Sequence, residues 1–349
     1  MTDLTRFIAS LMREEDVAWD GGDASAFLQA SNVHGATPLI AYRIREKRRG
    51  IPATLAASIE AEARTHMAHD VVRQRELLQL LDRFESPAIP MLVIKGTALA
   101  RTHYAHSWLR PRCDTDVLIE RERLEEITDL LGRAGYAEER SSGGELISRQ
   151  RMWARIDSLG IRHCIDLHWE LSNRPRYARA FSFRELWSRG VSFQGSEIRM
   201  PAPADALLIA ALHLVGHHHS TPRLIWLYDI HLLHASMSIE ELQAAAALAR
   251  ERKIVMAFDA AIALSLNWFG DRRDAALPHP APTAMEELID DLRCTPGIRS
   301  KLRLMGEHLF PPAAYVMEKY GVTSRAALPA LYLRRAFGAS TRLFKTLSS

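Results

Sequence analysis

From Leu4 to about Glu85 apolar residues recur at spacings of three and four, as in "TPLIAYRIREKR" and "TLAASIEAEARTHMAHDVVRQRELLQLLDRFE". That period predicts amphipathic helices. The pattern breaks at "SPAIPMLVIKG", where two prolines precede a continuous apolar run, Met91 to Ile94. The run is too short for a helix and suits a buried strand. "TALARTHYAH" reads as helix from near Thr97, "DTDVLIE" as a second strand, and "RERLEEITDLLGRAGY" as an amphipathic helix ended by glycine. "RQRMWARIDSLGIRHCIDLHWEL" predicts a hairpin turning at Ser158–Gly160. Its second arm places Ile161, His163, Ile165, Leu167 and Trp169 on the core face, and Arg162, Cys164, Asp166, His168 and Glu170 on the other. Helical periodicity returns from "APADALLIAALHLVGHHH" to the C-terminus, with a Pro-rich loop at "LPHPAPTAM". The expected fold is α+β in three parts: an N-terminal helical region, 1–86; a core with a mixed β-sheet, 87–200; and a C-terminal helical domain, 201–349.

Composition adds little direction. The chain is 47% hydrophobic and 25% charged, and 45 basic against 42 acidic residues leave a net charge of only +3. No strongly basic patch marks a long nucleic acid as partner. Three cysteines, Cys113, Cys164 and Cys294, are odd in number and lack paired spacing, so free thiols and a cytoplasmic protein are expected. Neither a signal-peptide core nor an apolar run of about 18 residues is present, which argues against a membrane span.

The chemistry concentrates in "LRPRCDTDVLIE". Period two puts Asp114 and Asp116 on one face of the second strand, while Thr115, Val117 and Ile119 take the other. Such a pair is either a solvated strand entrance or a site for a hard divalent cation, Mg²⁺ or Mn²⁺, whose charge removes the repulsion. "VIKGTALA" offers either a plain strand-to-helix turn or a phosphate cradle in which Lys95 supplies charge, Gly96 close backbone approach and Thr97 a hydroxyl. Asp166 could complete a metal cage or act as a base, with His168 on its face beside the expected nucleotide. Arg110 and Arg112 lie at the same spacing as the two aspartates, placed to contact phosphates or to neutralise the acids. Together these are the parts that phosphoryl-group transfer requires.

These motifs resemble the DNA polymerase β nucleotidyltransferase superfamily. "IKGTALARTHY", "LRPRCDTDVLI" and "IDLHWEL" are similar, more narrowly, to a bacterial uncharacterised nucleotidyltransferase family with a K-G turn. Its signature runs K-G-x-x-L, R-x-x-x-D-x-D-L-L-V, then I-D-x-H-W. The resemblance implies a minimal nucleotidyltransferase sheet with helical flanks, an NTP as substrate and a divalent metal. Lys95 and Gly96 stand at the nucleotide-phosphate turn, which is usually Gly-Ser. Asp114 and Asp116 stand at the two metal-binding aspartates, and Asp166 at the third carboxylate. Cys113 replaces a common glycine, and Thr115 and Val117 replace the more usual Ile and Leu. Genes of this family occur near peptide-modification clusters, so a peptide joins a protein or small molecule as the implied acceptor.

The leading expectation is therefore transfer of a nucleotidyl group to an acceptor hydroxyl or phosphate with release of pyrophosphate. Sugar transfer from a nucleotide sugar, phosphoester hydrolysis, and a non-catalytic module with a degenerate site are the alternatives. His213 and His217 to His219 lack the further ligands of a zinc site and are expected to be partly buried or to line a pocket. "RLIWLYDIHLL" reads as a packing helix with Asp229 as a polar anchor in preference to an acceptor-binding residue, and "SSGGE" as a flexible loop.

Overall fold

The computed structural model describes residues 3–19, 21–46, 50–85, 89–139, 144, 146–193, 195, 197–217, 222–270, 284–322 and 324–334. Four helices open the chain: α1 (Asp3–Met12), α2 (Ala24–Val33), α3 (Thr37–Glu46) and α4 (Ala53–Glu85). Strand β1 (Met91–Val93) runs into α5 (Lys95–Thr102), then come β2 (Thr115–Ile119), α6 (Leu124–Arg133) and β3 (Ala137–Glu138). The hairpin of β4 (Gln150–Ile156) and β5 (Arg162–His168) follows, then α7 (Pro175–Ala178), α8 (Phe183–Arg189), β6 (Val191–Ser192) and β7 (Arg199–Met200). Helices α9 (Pro203–His217), α10 (Leu224–Ser236), α11 (Ile239–Glu251), α12 (Val255–Phe269), α13 (Ala284–Cys294), α14 (Ile298–Leu309) and α15 (Ala313–Lys319) complete the described chain.

The strands form one mixed sheet in the order β3-β4-β5-β2-β1-β7-β6. This is the α+β architecture, a mixed sheet with helical flanks, that the pattern predicts. β1 and β2 are antiparallel, while β2 and β5 run parallel with Asp116 opposite Asp166. The hairpin turn is built by Asp157, whose Oδ1 accepts from the backbone N–H groups of Leu159 and Ile161, with Gly160 at φ +76°.

Strand alternation divides the interior. Met91, Val93, Val117, Ile119, Ile165 and Leu167 face a core completed by Leu77, Leu80 and Phe84 of α4 and Ile127 and Leu131 of α6. Leu92 and Leu118 point the other way, into a core shared with α1–α3 and α9–α12. The first and last helical regions therefore pack together over the second face. That explains one departure from expectation: Cys164, Asp166 and His168, assigned to a face outside the core, are all buried. With helices on both faces, a central parallel strand has no wet side.

Two local details also differ. Helix α5 begins at Lys95, with Ile94 as its cap, two residues before the expected start. Arg110 and Arg112 precede β2 and do not continue its alternation; the segment before it is a 3₁₀ turn, Ser107–Leu109, followed by irregular chain. No helix of the described residues is long and apolar enough to cross a membrane. His218, His219, the side chain of His217, residues 277–283 of the Pro-rich loop and all of "SSGGE" but Gly144 lie outside the described residues.

Candidate active site

The site forms where β1 ends beside the start of β2. The Ile94 N–H donates to the Asp116 carbonyl at 3.0 Å, the last rung between the two strands. Lys95 then turns the chain with φ +54°, a left-handed conformation that L side chains adopt at a cost of about 1–3 kcal/mol unless neighbours enforce it. The side chain is held there by an ion pair, Lys95 Nζ donating to Asp116 Oδ1 at 2.6 Å.

Because β2 and β5 are in register, Asp116 and Asp166 stand side by side, with His168 two residues along β5. His168 Nε2 lies 2.7 Å from Asp116 Oδ1, 3.3 Å from Asp166 Oδ2 and 3.3 Å from Lys95 Nζ. Burial opposes ionisation of Asp116, yet Lys95 and His168 hold its carboxyl well below the usual carboxylate range. Burial and Lys95 likewise oppose charge on His168, and Asp166 and Asp116 outweigh them and raise its pKa. Asp114 enters the same group from the residue before β2. Burial first, then the charge of Asp116, pushes it up to about 6, with Lys95 acting against the shift.

Gln150 Nε2 donates to Asp166 Oδ2 at 2.7 Å, and Asn173 Nδ2 donates to Gln150 Oε1 at 3.4 Å. Asp166 Oδ1 is buried and has no hydrogen-bond partner among the described residues. An orphaned buried carboxylate oxygen is met by an ordered water or an ion. Ligand atoms of Asp116, Asp166 and His168 all lie within 4.8 Å of one another. Two carboxylates with an imidazole suit a divalent cation such as Mg²⁺ or Mn²⁺, the oxygens being the harder donors. The donor set fits such an ion, with Asp114 adjoining.

The remaining expected residues divide. Lys95, Gly96, Arg110, Arg112, Asp114, Asp116 and Asp166 line one cavity of about 440 Å³. Thr97 is buried away from it, its hydroxyl 3.5 Å from that of Thr115. The two arginines neutralise other acids than the site pair. Arg110 Nη2 donates to Asp229 Oδ2 at 2.7 Å and its Nε also bonds that carboxylate, while Arg112 pairs with Asp70 at 2.6 Å. Asp229 further accepts from the Tyr104 hydroxyl at 2.7 Å, so it is a polar anchor inside α10. Gly96 also has a packing reason. A Cβ there would stand 2.7 Å from Arg110 Nη1 and 2.8 Å from Cζ, so the missing side chain is the space the guanidinium fills.

Helix α9 and the start of α10 supply a wall: His213, expected as a pocket-lining residue, lines the cavity together with Arg223, Trp226, Gln150, Met152 and Asn173, to which sequence reasoning gave no role. The hairpin register carried a signal for part of this. Counting back from the turn places Met152 opposite Asp166 and Gln150 opposite His168. For Arg223 no local signal exists, because only tertiary packing brings it to the site.

No curated protein matches the chain. The solved structure described as the solution structure of the antibiotic-resistance factor ANT(2'')-Ia is similar at 14% identity, covering 53% of this chain and 94% of that one, with a TM-score of 0.38. A family model, "Uncharacterised nucleotidyltransferase", matches residues 20–270, well over half of the chain and including every residue of the cavity. The chain belongs to this uncharacterised nucleotidyltransferase family and is a nucleotidyltransferase enzyme.

Proposed function

We propose that the protein uses an NTP and a divalent metal, Mg²⁺ or Mn²⁺, to place a nucleotidyl group on an acceptor hydroxyl or phosphate. The observation that carries the proposal is the in-register pair Asp116–Asp166, lining a cavity large enough for a nucleotide with the buried His168 in contact behind them. Asp114, Asp116 and Asp166, with His168 beside them, would hold the ion, which when bound supplies charge neutralisation and alignment for the phosphates. Lys95 and Gly96 border the phosphate end. In the transfer, the acceptor oxygen bonds to the α-phosphorus, the α–β anhydride bond breaks and pyrophosphate leaves. The proton of an attacking hydroxyl passes to the carboxylate cluster, where Asp166 Oδ1 is the oxygen without a partner. Gln150, fixed by Asn173, orients that carboxylate from its other oxygen. The acceptor class, peptide, protein or small molecule, is bounded by the helical wall. A cytoplasmic setting and the division at 86 and 200 belong to the same proposal.

Asp116→Ala should abolish pyrophosphate release while the variant keeps the wild-type far-UV spectrum. Turnover retained in a folded Asp116→Ala protein overturns the assignment.

A further inference from the structure

The charges on the cavity wall can be matched one by one. Four Lys or Arg side chains line it: Lys95, Arg110, Arg112 and Arg223. Lys95 is paired with Asp116, Arg110 with Asp229 and Arg112 with Asp70. Arg223 has no carboxylate partner among the described residues. The acids Asp114 and Asp166 are the counterpart: Asp114 has neither hydrogen bond nor ion pair to a Lys or Arg there, and Asp166 keeps an orphaned oxygen. The wall therefore holds acids without a Lys or Arg in ion-pair contact and a cation, Arg223, without a carboxylate in contact, Asp114 and Asp229 acting on it only at longer range. A metal–triphosphate supplies a partner to each.

The Arg223 guanidinium is seated rather than loose. Its Nε donates to the Val33 carbonyl at 2.6 Å, its Cζ lies 5.4 Å from the centre of the Trp226 ring, and Nη2 fits against Gly35, where a Cβ would stand 3.1 Å away. Trp226 is in turn held edge-on by His213 at 5.3 Å. A single acceptor, the Val33 carbonyl, uses one of the five donors of the fork, and the others remain for an oxyanion. Burial first, then the neighbouring Arg110, lower its pKa against the opposing pull of Cys113, Asp114 and Asp229, an environment that an arriving anion relieves.

We infer that Arg223 binds the triphosphate of the nucleotide from the helical side of the cavity that the Lys95–Gly96 turn also lines. The inference rests on the nucleotidyl-transfer reading and adds to it a phosphate-binding residue from the C-terminal helices, outside the three sequence motifs. It also makes those helices part of the nucleotide site and not of the acceptor site alone.

The test is calorimetric, with magnesium tripolyphosphate, the four magnesium NTPs and the corresponding nucleosides as probes, on wild type, Arg223→Met and Arg223→Lys. A lost charge-assisted fork corresponds to roughly ten- to hundredfold in affinity. Arg223→Met should lose that factor equally for tripolyphosphate and for the preferred NTP and leave nucleoside binding unchanged. Arg223→Lys, which keeps the charge without the fork, should fall between the two and serves if the methionine variant fails to fold. Wild-type affinity for tripolyphosphate and NTP in either folded variant overturns the inference and assigns Arg223 to an anionic acceptor. Absence of NTP and tripolyphosphate binding by the wild type overturns this inference and the nucleotidyl reading together.

Discussion

Gly96→Ala separates two reasons for the same glycine. Gly96 is the second residue of α5 and is not among the positive-φ glycines, so its backbone would accept alanine. On helix propensity alone the substitution should stabilise by up to about 1 kcal/mol. The new methyl group, however, would meet Arg110 Nη1, Cζ and Nη2 at 2.7, 2.8 and 3.1 Å. That guanidinium cannot swing aside freely: its Nε and Nη2 bond Asp229, and Nη1 donates to the Pro111 carbonyl at 3.0 Å. Overpacking costs about 1–3 kcal/mol, and breaking a buried pair costs about 3–5 kcal/mol. We expect a net loss of about 2–4 kcal/mol, read as a lower urea midpoint with unchanged slope. In the background Arg110→Met, Asp229→Leu, which removes the obstruction, the same substitution should become neutral or stabilising. An unchanged or raised midpoint for Gly96→Ala in the otherwise wild-type chain would refute the reasoning and return the glycine to a ligand-approach role.

Two further outcomes follow from contacts remote from the metal-type cluster. His34 accepts from the Leu224 N–H through Nδ1 at 3.4 Å, and burial, then Arg223, hold its pKa below the ordinary 6.5; a lowered pKa means the unfolded chain binds the proton more readily, so stability is full above pH 6.5 and declines as pH falls below it. Urea midpoints measured from about pH 8 to about pH 5.5 should drop, less steeply in His34→Asn, and equal slopes would count against this. Glu307 of α14 accepts from the N–H groups of Leu146 and Ile147 at 2.9 and 3.3 Å. Glu307→Ala should speed amide exchange at those two positions by about tenfold or more, since each loses its one hydrogen-bond acceptor among the described residues; unchanged protection would show the contact to be idle.

Much of the site was legible because its parts are local. Asp114 and Asp116 sit at a strand entrance that period two makes visible, and the turn at Asp157–Gly160 fixes the hairpin register that faces Met152 with Asp166. What stayed hidden depends on partners far along the chain. Arg110 reads locally as a neighbour of the aspartates, yet its partner is Asp229, 119 positions later. Arg112 turns to Asp70 near the middle of the 33-residue α4, which spans both cores. The burial of His168 was equally illegible, because alternation tells which residues share a face but not what covers it. β6 and β7, two residues each, are too short for any periodicity to show.

The central claim is that the D-x-D strand and its Asp166 neighbour bind a metal–nucleotide. It is tested most directly by calorimetric titration of the four NTPs with and without Mg²⁺, on wild type and on Asp114→Asn, Asp116→Asn. The account predicts Mg²⁺-dependent binding of at least one NTP by the wild type and its loss in the folded double variant. Binding that persists in the variant, or wild-type protein that binds no NTP with Mg²⁺ present, would contradict it.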